Sequence, residues 1–124
     1  MKQTIILDFD GVLHSYSSGW KGADVILDPP TPGAKEAVEK LRETYIVVVV
    51  SSRTHQPGGI EAIKTWLALH GIEVDDVPDH KPPHIVTVDD RAFRFEGDWN
   101  AVIEGLPAAS VPWNKKNKPD GGQP

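Results

Sequence analysis

Along the chain, short unbroken apolar runs alternate with stretches in which apolar positions recur every three or four residues. Thr4-Ile5-Ile6-Leu7 is a run of the first kind, stopped by Asp8-Phe9-Asp10-Gly11. It predicts a buried strand. Tyr45-Ile46-Val47-Val48-Val49-Val50 is longer and mostly β-branched. It predicts a central parallel strand covered on both faces. His84-Ile85-Val86-Thr87-Val88 predicts a further buried strand, stopped by Asp89-Asp90, and Ile72-Glu73-Val74 a short one. Between them, from Gly33 to about Thr44, Ala34, Ala37, Val38 and Leu41 recur with helical spacing opposite a charged face. Pro57-Gly58-Gly59 opens a second helix with the stripe Ile60, Ile63, Trp66 and Leu67, and Gly71 closes it. Residues 99 to 106 predict a short third helix. This alternation predicts an α/β fold, an open and mostly parallel sheet flanked by helices.

The chain has 124 residues, which suits one domain over 1–113. Residues 114–124, rich in Lys, Asn, Gly and Pro, read as a disordered tail. With 39% hydrophobic and 25% charged residues, the composition is that of a soluble globular protein. No cysteine is present, so neither disulfides nor thiolate metal sites are possible, and a reducing, cytoplasmic location is expected. The N-terminal apolar run is too short for a signal peptide or a membrane span. A net charge of −5 argues against a general nucleic-acid-binding surface.

The three strongest runs each end in polar residues: Asp8-Phe9-Asp10, Ser51-Ser52-Arg53 and Asp89-Asp90. In a parallel sheet with right-handed crossovers the strand C-termini share one rim, where open α/β sheets bind ligands. Residues 8, 51 and 89 should therefore converge. Two like charges about 4 Å apart repel by roughly 4 kcal/mol at an effective dielectric near 20. Four carboxylates on one rim, Asp8, Asp10, Asp89 and Asp90, therefore call for a cation. Oxygen ligands without Cys or a His cluster favour Mg²⁺ over Zn²⁺. An EF-hand is excluded, because the later oxygen ligands and the closing Glu are missing.

Asp8-Phe9-Asp10-Gly11-Val12-Leu13 resembles the first motif of the haloacid dehalogenase-like (HAD) hydrolase superfamily. Val47 to Arg53 resembles its second, a strand ending in Ser or Thr. Lys81 before Pro82 resembles the third, and Ile85 to Arg91 the fourth. The four occur in the expected order over residues 4 to 99, and 89 to 99 also look like small bacterial and phage members of the superfamily. The resemblance implies a Rossmann-like, HAD-type sheet and a Mg²⁺-dependent phosphomonoester hydrolase working through an aspartyl-phosphate. It implies Asp8 as nucleophile and Asp10 as the acid and base for leaving group and water. Ser51 would bond a phosphoryl oxygen and Lys81 would offset negative charge. Gly11, Ser52 and Arg53 are the substrate-binding candidates, with Ser52 the rival of Ser51 and Arg53 equally able to pair with a rim carboxylate. Asp8, Asp10, Asp89 and Asp90 are the metal candidates.

In this superfamily caps set substrate choice. Residues 14 to 32 leave room for a small flap, and 54 to 80 are used by a helix and a short strand, so no large cap is expected. An open site admits a nucleotide, a polynucleotide end or a sugar phosphate. Tyr16, Trp20 and Lys21 are the flap residues placed to touch substrate. His14, His55, His80 and His84 read as surface or capping groups, and His14, nearest the nucleophile, is also placed to touch substrate. Trp66, Trp99 and Trp113 read as packing residues. The alternative is a catalytically silent module that keeps the metal and phosphate site for regulation. A nucleotide-sugar glycosyltransferase is disfavoured, because the chain is too short for its donor and acceptor lobes.

Overall fold

The computed structural model describes residues 1–115. It divides into two compact units, one from Met1 to Val88 and a second from Asp89 onward. The tail expectation lies outside the described residues except at Asn114 and Lys115, which end a 3₁₀ turn over Trp113–Lys115.

The first unit is an α/β layer structure. Its strands are β1 (Gln3–Leu7), β2 (Tyr45–Val49) and β3 (Val86–Val88), all parallel in the order β2-β1-β3. Helix α1 (Ala34–Arg42) links β1 to β2, and α2 (Gly59–Leu69) follows β2 after a 3₁₀ turn at Ser52–His55. The side-chain alternation of a strand divides the apolar positions between two faces. Ile5, Leu7, Val47 and Val49 join Val38 of α1 and Ile63, Trp66 and Leu67 of α2 in the main core. Ile6, Val48 and Val50, out of phase with these, form a second small cluster.

Three strand expectations need correction. Ile72-Glu73-Val74 forms no strand; the following residues cover the outer edge of β2 instead. The Asp75 N–H donates to the Val47 carbonyl and the Val49 N–H to the Asp76 carbonyl. β1, not β2, is the central strand, although Val47 to Val49 are buried as expected. β3 is shorter than its apolar run and is not buried: as an edge strand it leaves Val86 and Val88 about half exposed.

Helix ends follow local chemistry. Gly33 and Gly58 precede α1 and α2 with φ of 83° and 79°, and Gly71 takes φ 67° just beyond α2. These are left-handed conformations that L side chains resist.

The second unit contains α3 (Trp99–Ala109), three residues longer than its apolar pattern and running through Pro107. Its N-cap is Asp98, whose Oδ1 accepts the N–H groups of Asn100 and Ala101. Phe93 lies against α3 so closely that a side chain at Gly105 would strike its ring. The Phe95 and Trp99 rings sit 4.8 Å apart. No residue of α3 is buried.

Candidate functional site

The register places the ends of the strands together. Leu7 pairs with Val49 on one side and with Val88 on the other. The Asp8 N–H donates to the Val88 carbonyl at 2.9 Å, and the Val50 N–H to the Leu7 carbonyl. The chain therefore leaves β1 at Asp8, β2 at Val50-Ser51 and β3 at Val88 on one rim, with Asp89 the next residue along the backbone. In the second unit, Asp89 Oδ1 accepts the Arg91 N–H at 2.8 Å, closing a tight turn.

After Asp8 the backbone turns sharply. The N–H groups of Val12, Leu13 and His14 all point to the Phe9 carbonyl, and Gly11 takes φ 83°. That turn brings the side chain of His14 back onto Asp10: Nδ1 lies 2.8 Å from Asp10 Oδ1. His14 Nε2 accepts the backbone N–H of Asp28 at 3.1 Å. An accepting Nε2 requires the proton on Nδ1, so a neutral His14 donates to Asp10. The imidazole is 1% exposed, stacked on Phe9 and edge-on to Trp66 and Tyr16.

Asp10 has a second, stronger partner. Arg53 is completely buried, and its Nε donates to both carboxylate oxygens, at 2.9 Å and 3.2 Å. Its Nη1 donates to the carbonyls of Gly22, Ala23 and Val25. Its guanidinium stacks on Trp20, with Cζ 4.7 Å from the ring centroid. Burial raises the affinity of Asp10 for a proton. Hydrogen bonds from His14 and Arg53 and the Arg53 charge outweigh that, so the carboxyl sits below its usual range. The buried charge of Arg53 is thus neutralised by one carboxylate and solvated by three loop carbonyls, which is what keeps burial tolerable.

The segment from His14 to Pro30 is a closed loop rather than a hairpin of strands. At its base the Ser15 N–H donates to the Pro29 carbonyl and the Thr31 N–H to that of Leu13. Inside it, Asp28 accepts the Ser18 N–H and hydroxyl, and the Asp28 carbonyl accepts the Trp66 indole N–H at 2.9 Å. Burial raises the Asp28 carboxyl, but the Ser18 bonds and one from Ser17 bring it below the usual range. Tyr16 holds φ 60° without being glycine, a strain found mostly at ligand sites.

Ser51 ends β2 buried, its Oγ accepting the Arg53 N–H at 3.0 Å. The hydroxyl hydrogen is left to donate elsewhere. Ser52 is exposed in the 3₁₀ turn. Gly59 opens α2 directly against the Arg53 carbonyl, where any Cβ would collide with that oxygen. Lys81 is exposed on the segment leading into β3. His55, His80 and His84 are exposed. Of the tryptophans read as packing residues, Trp66 is buried, whereas Trp99 and Trp113 are exposed.

The first unit therefore gathers Asp8, Asp10, Gly11, Ser51 and Arg53 around one rim. The sequence reading missed the burial of His14 and its bond to Asp10. The i, i+4 spacing after a glycine turn was the available signal. Arg53 pairs with Asp10 through Nε and with the loop through Nη1, while its buried Nη2 has no hydrogen-bond partner among the described residues. No helix among the described residues is long and apolar enough to cross a membrane. No family model, curated protein or solved structure matches this chain.

Proposed function

We propose that the chain is a Mg²⁺-dependent phosphomonoester hydrolase of the haloacid dehalogenase-like type that its motifs resemble, with Asp8 as the nucleophile. The observation that carries this reading is the rim itself, where Asp8 leaves β1 beside the end of β3 and next to a paired acidic residue and a buried hydroxyl. The motifs that the chain resembles assign the metal to Asp8, Asp10, Asp89 and Asp90, hard oxygen donors without sulfur or imidazole among them, which suit Mg²⁺. Bound by those groups, Mg²⁺ would neutralise the phosphoryl oxygens.

The Asp8 carboxylate attacks phosphorus and the bond to the leaving oxygen breaks, giving an aspartyl-phosphate on Asp8. Asp10 delivers a proton to the leaving oxygen, then takes one from the water that hydrolyses the intermediate. In the resting site Asp10 is ionised, held so by His14 and Arg53. A phosphate dianion arriving beside it raises its proton affinity, so the acid form is drawn in with substrate. Ser51 donates its hydroxyl to a phosphoryl oxygen.

Release of inorganic phosphate from an aryl phosphate tests the reading. Release should require Mg²⁺, stop with a chelator and fall below detection in Asp8→Asn. A wild-type protein that releases none from a broad panel of phosphomonoesters ends it. The doubly bonded Asp10 favours one rival, a silent metal- and phosphate-binding module, since a carboxylate held ionised is a poor acid. Thermal stabilisation by Mg²⁺ with no phosphate release selects that rival.

A further inference from the structure

Trp20 is the aromatic side chain of the flap that faces solvent: 45% of its surface is open, against 4% for Trp66 in the same unit. Its neighbours in the loop, Ser17, Ser18 and Lys21, are polar and exposed. Tyr16, the other aromatic of the loop, turns inward against His14, so Trp20 is the ring that the flap presents.

The ring is also held. Beneath it lies the guanidinium of Arg53, which is fixed by Asp10 on one side and by three loop carbonyls on the other. The loop is tied again through Asp28 to Ser18 and Trp66. An aromatic surface that is already ordered loses little entropy when a ligand covers it. Its place is informative too. A single guanidinium separates the indole from the Asp10 carboxylate, and in the phosphohydrolase reading Asp10 serves the leaving oxygen. Trp20 thus lies one side chain from Asp10.

We infer that Trp20 is a stacking platform for the leaving group, so that the preferred substrates are phosphomonoesters carrying a planar ring, nucleotides in particular, rather than sugar or alkyl phosphates. This rests on the phosphohydrolase reading and names its substrate class. Arg53 sets the platform and Trp20 supplies the contact, with base–aromatic stacking as the recognising force.

Adenosine 5′-monophosphate and ribose 5-phosphate differ only by the base, and their kcat/KM ratio reads the stack directly. The full-length wild type with Mg²⁺ should favour the nucleotide by about tenfold or more, the worth of one base–aromatic contact. Trp20→Leu should bring the ratio close to one by raising KM for the nucleotide more than KM for ribose 5-phosphate. Trp20→Phe, which keeps a smaller ring over Arg53, should give an intermediate ratio. If Trp20→Leu does not fold, the Trp20→Phe ratio decides alone. A wild-type ratio near one, or a ratio that Trp20 variants leave unchanged, overturns the inference while phosphate release keeps the hydrolase reading intact. Release from neither substrate, nor from the aryl phosphate, removes the hydrolase reading and the inference with it.

Discussion

Helices α2 and α3 are both eleven residues long and both carry apolar side chains at helical spacing. α2 buries Ile63, Trp66 and Leu67 beside β-strand residues Val47 and Val49, whereas Ile103 and Leu106 of α3 stand exposed. Spacing decides that a segment is a helix; what lies opposite decides whether its apolar face contributes to stability. The first unit therefore has contacts to lose, and the second few.

That contrast can be broken most sharply at Arg53. Arg53→Met leaves Asp10 without its main partner in a partly buried site and should cost about 3–5 kcal/mol in urea unfolding. Arg53→Lys should recover only part, because an ammonium cannot bond Asp10, reach three carbonyls and lie flat on Trp20 together. The same pair predicts acid sensitivity. The folded-state pKa of Asp10 lies below its ordinary 3.8, so its contribution is fully present above that value and is lost as pH falls through the lower one. The urea midpoint should drop as pH falls below about 4, and drop less in Asp10→Asn. An equal drop in both would detach acid sensitivity from this pair.

Next in size, Ile63→Ala should cost about 2–5 kcal/mol by opening a cavity in the main core. Asp98→Ala, which removes the α3 N-cap, should cost about 1 kcal/mol, read as faster amide exchange in the first turn of α3. Ile103→Ala should fall within about 0.5 kcal/mol of wild type. If Ile103→Ala matched Ile63→Ala, the two helices would not differ as described.

Much of the first unit was legible in the sequence because its signals are local. Unbroken β-branched runs marked β1 and β2, and the glycines at 33, 58, 59 and 71 marked helix ends to within a residue or two. The shared rim followed from strand order alone. What escaped depended on partners distant in sequence. Nothing in Ile85-Val86-Thr87-Val88 says that the strand takes an edge and stays half exposed. The pairing of Asp75 and Asp76 with β2 is carried by backbone groups, which have no composition signature. Arg53 could be read as facing substrate or pairing with a carboxylate, since Asp10 lies 43 positions away. His14 looked like a surface residue because imidazole is neither strongly apolar nor permanently charged.

The contact at Gly59 gives the molecule an unusual genetic constraint. One added methyl group there would push the Arg53 carbonyl from its seat and carry the guanidinium away from its carboxylate on a different turn. In a randomised library selected for folding, position 59 should return glycine alone, and the reason would be found not in its own helix but in the arginine six residues before it.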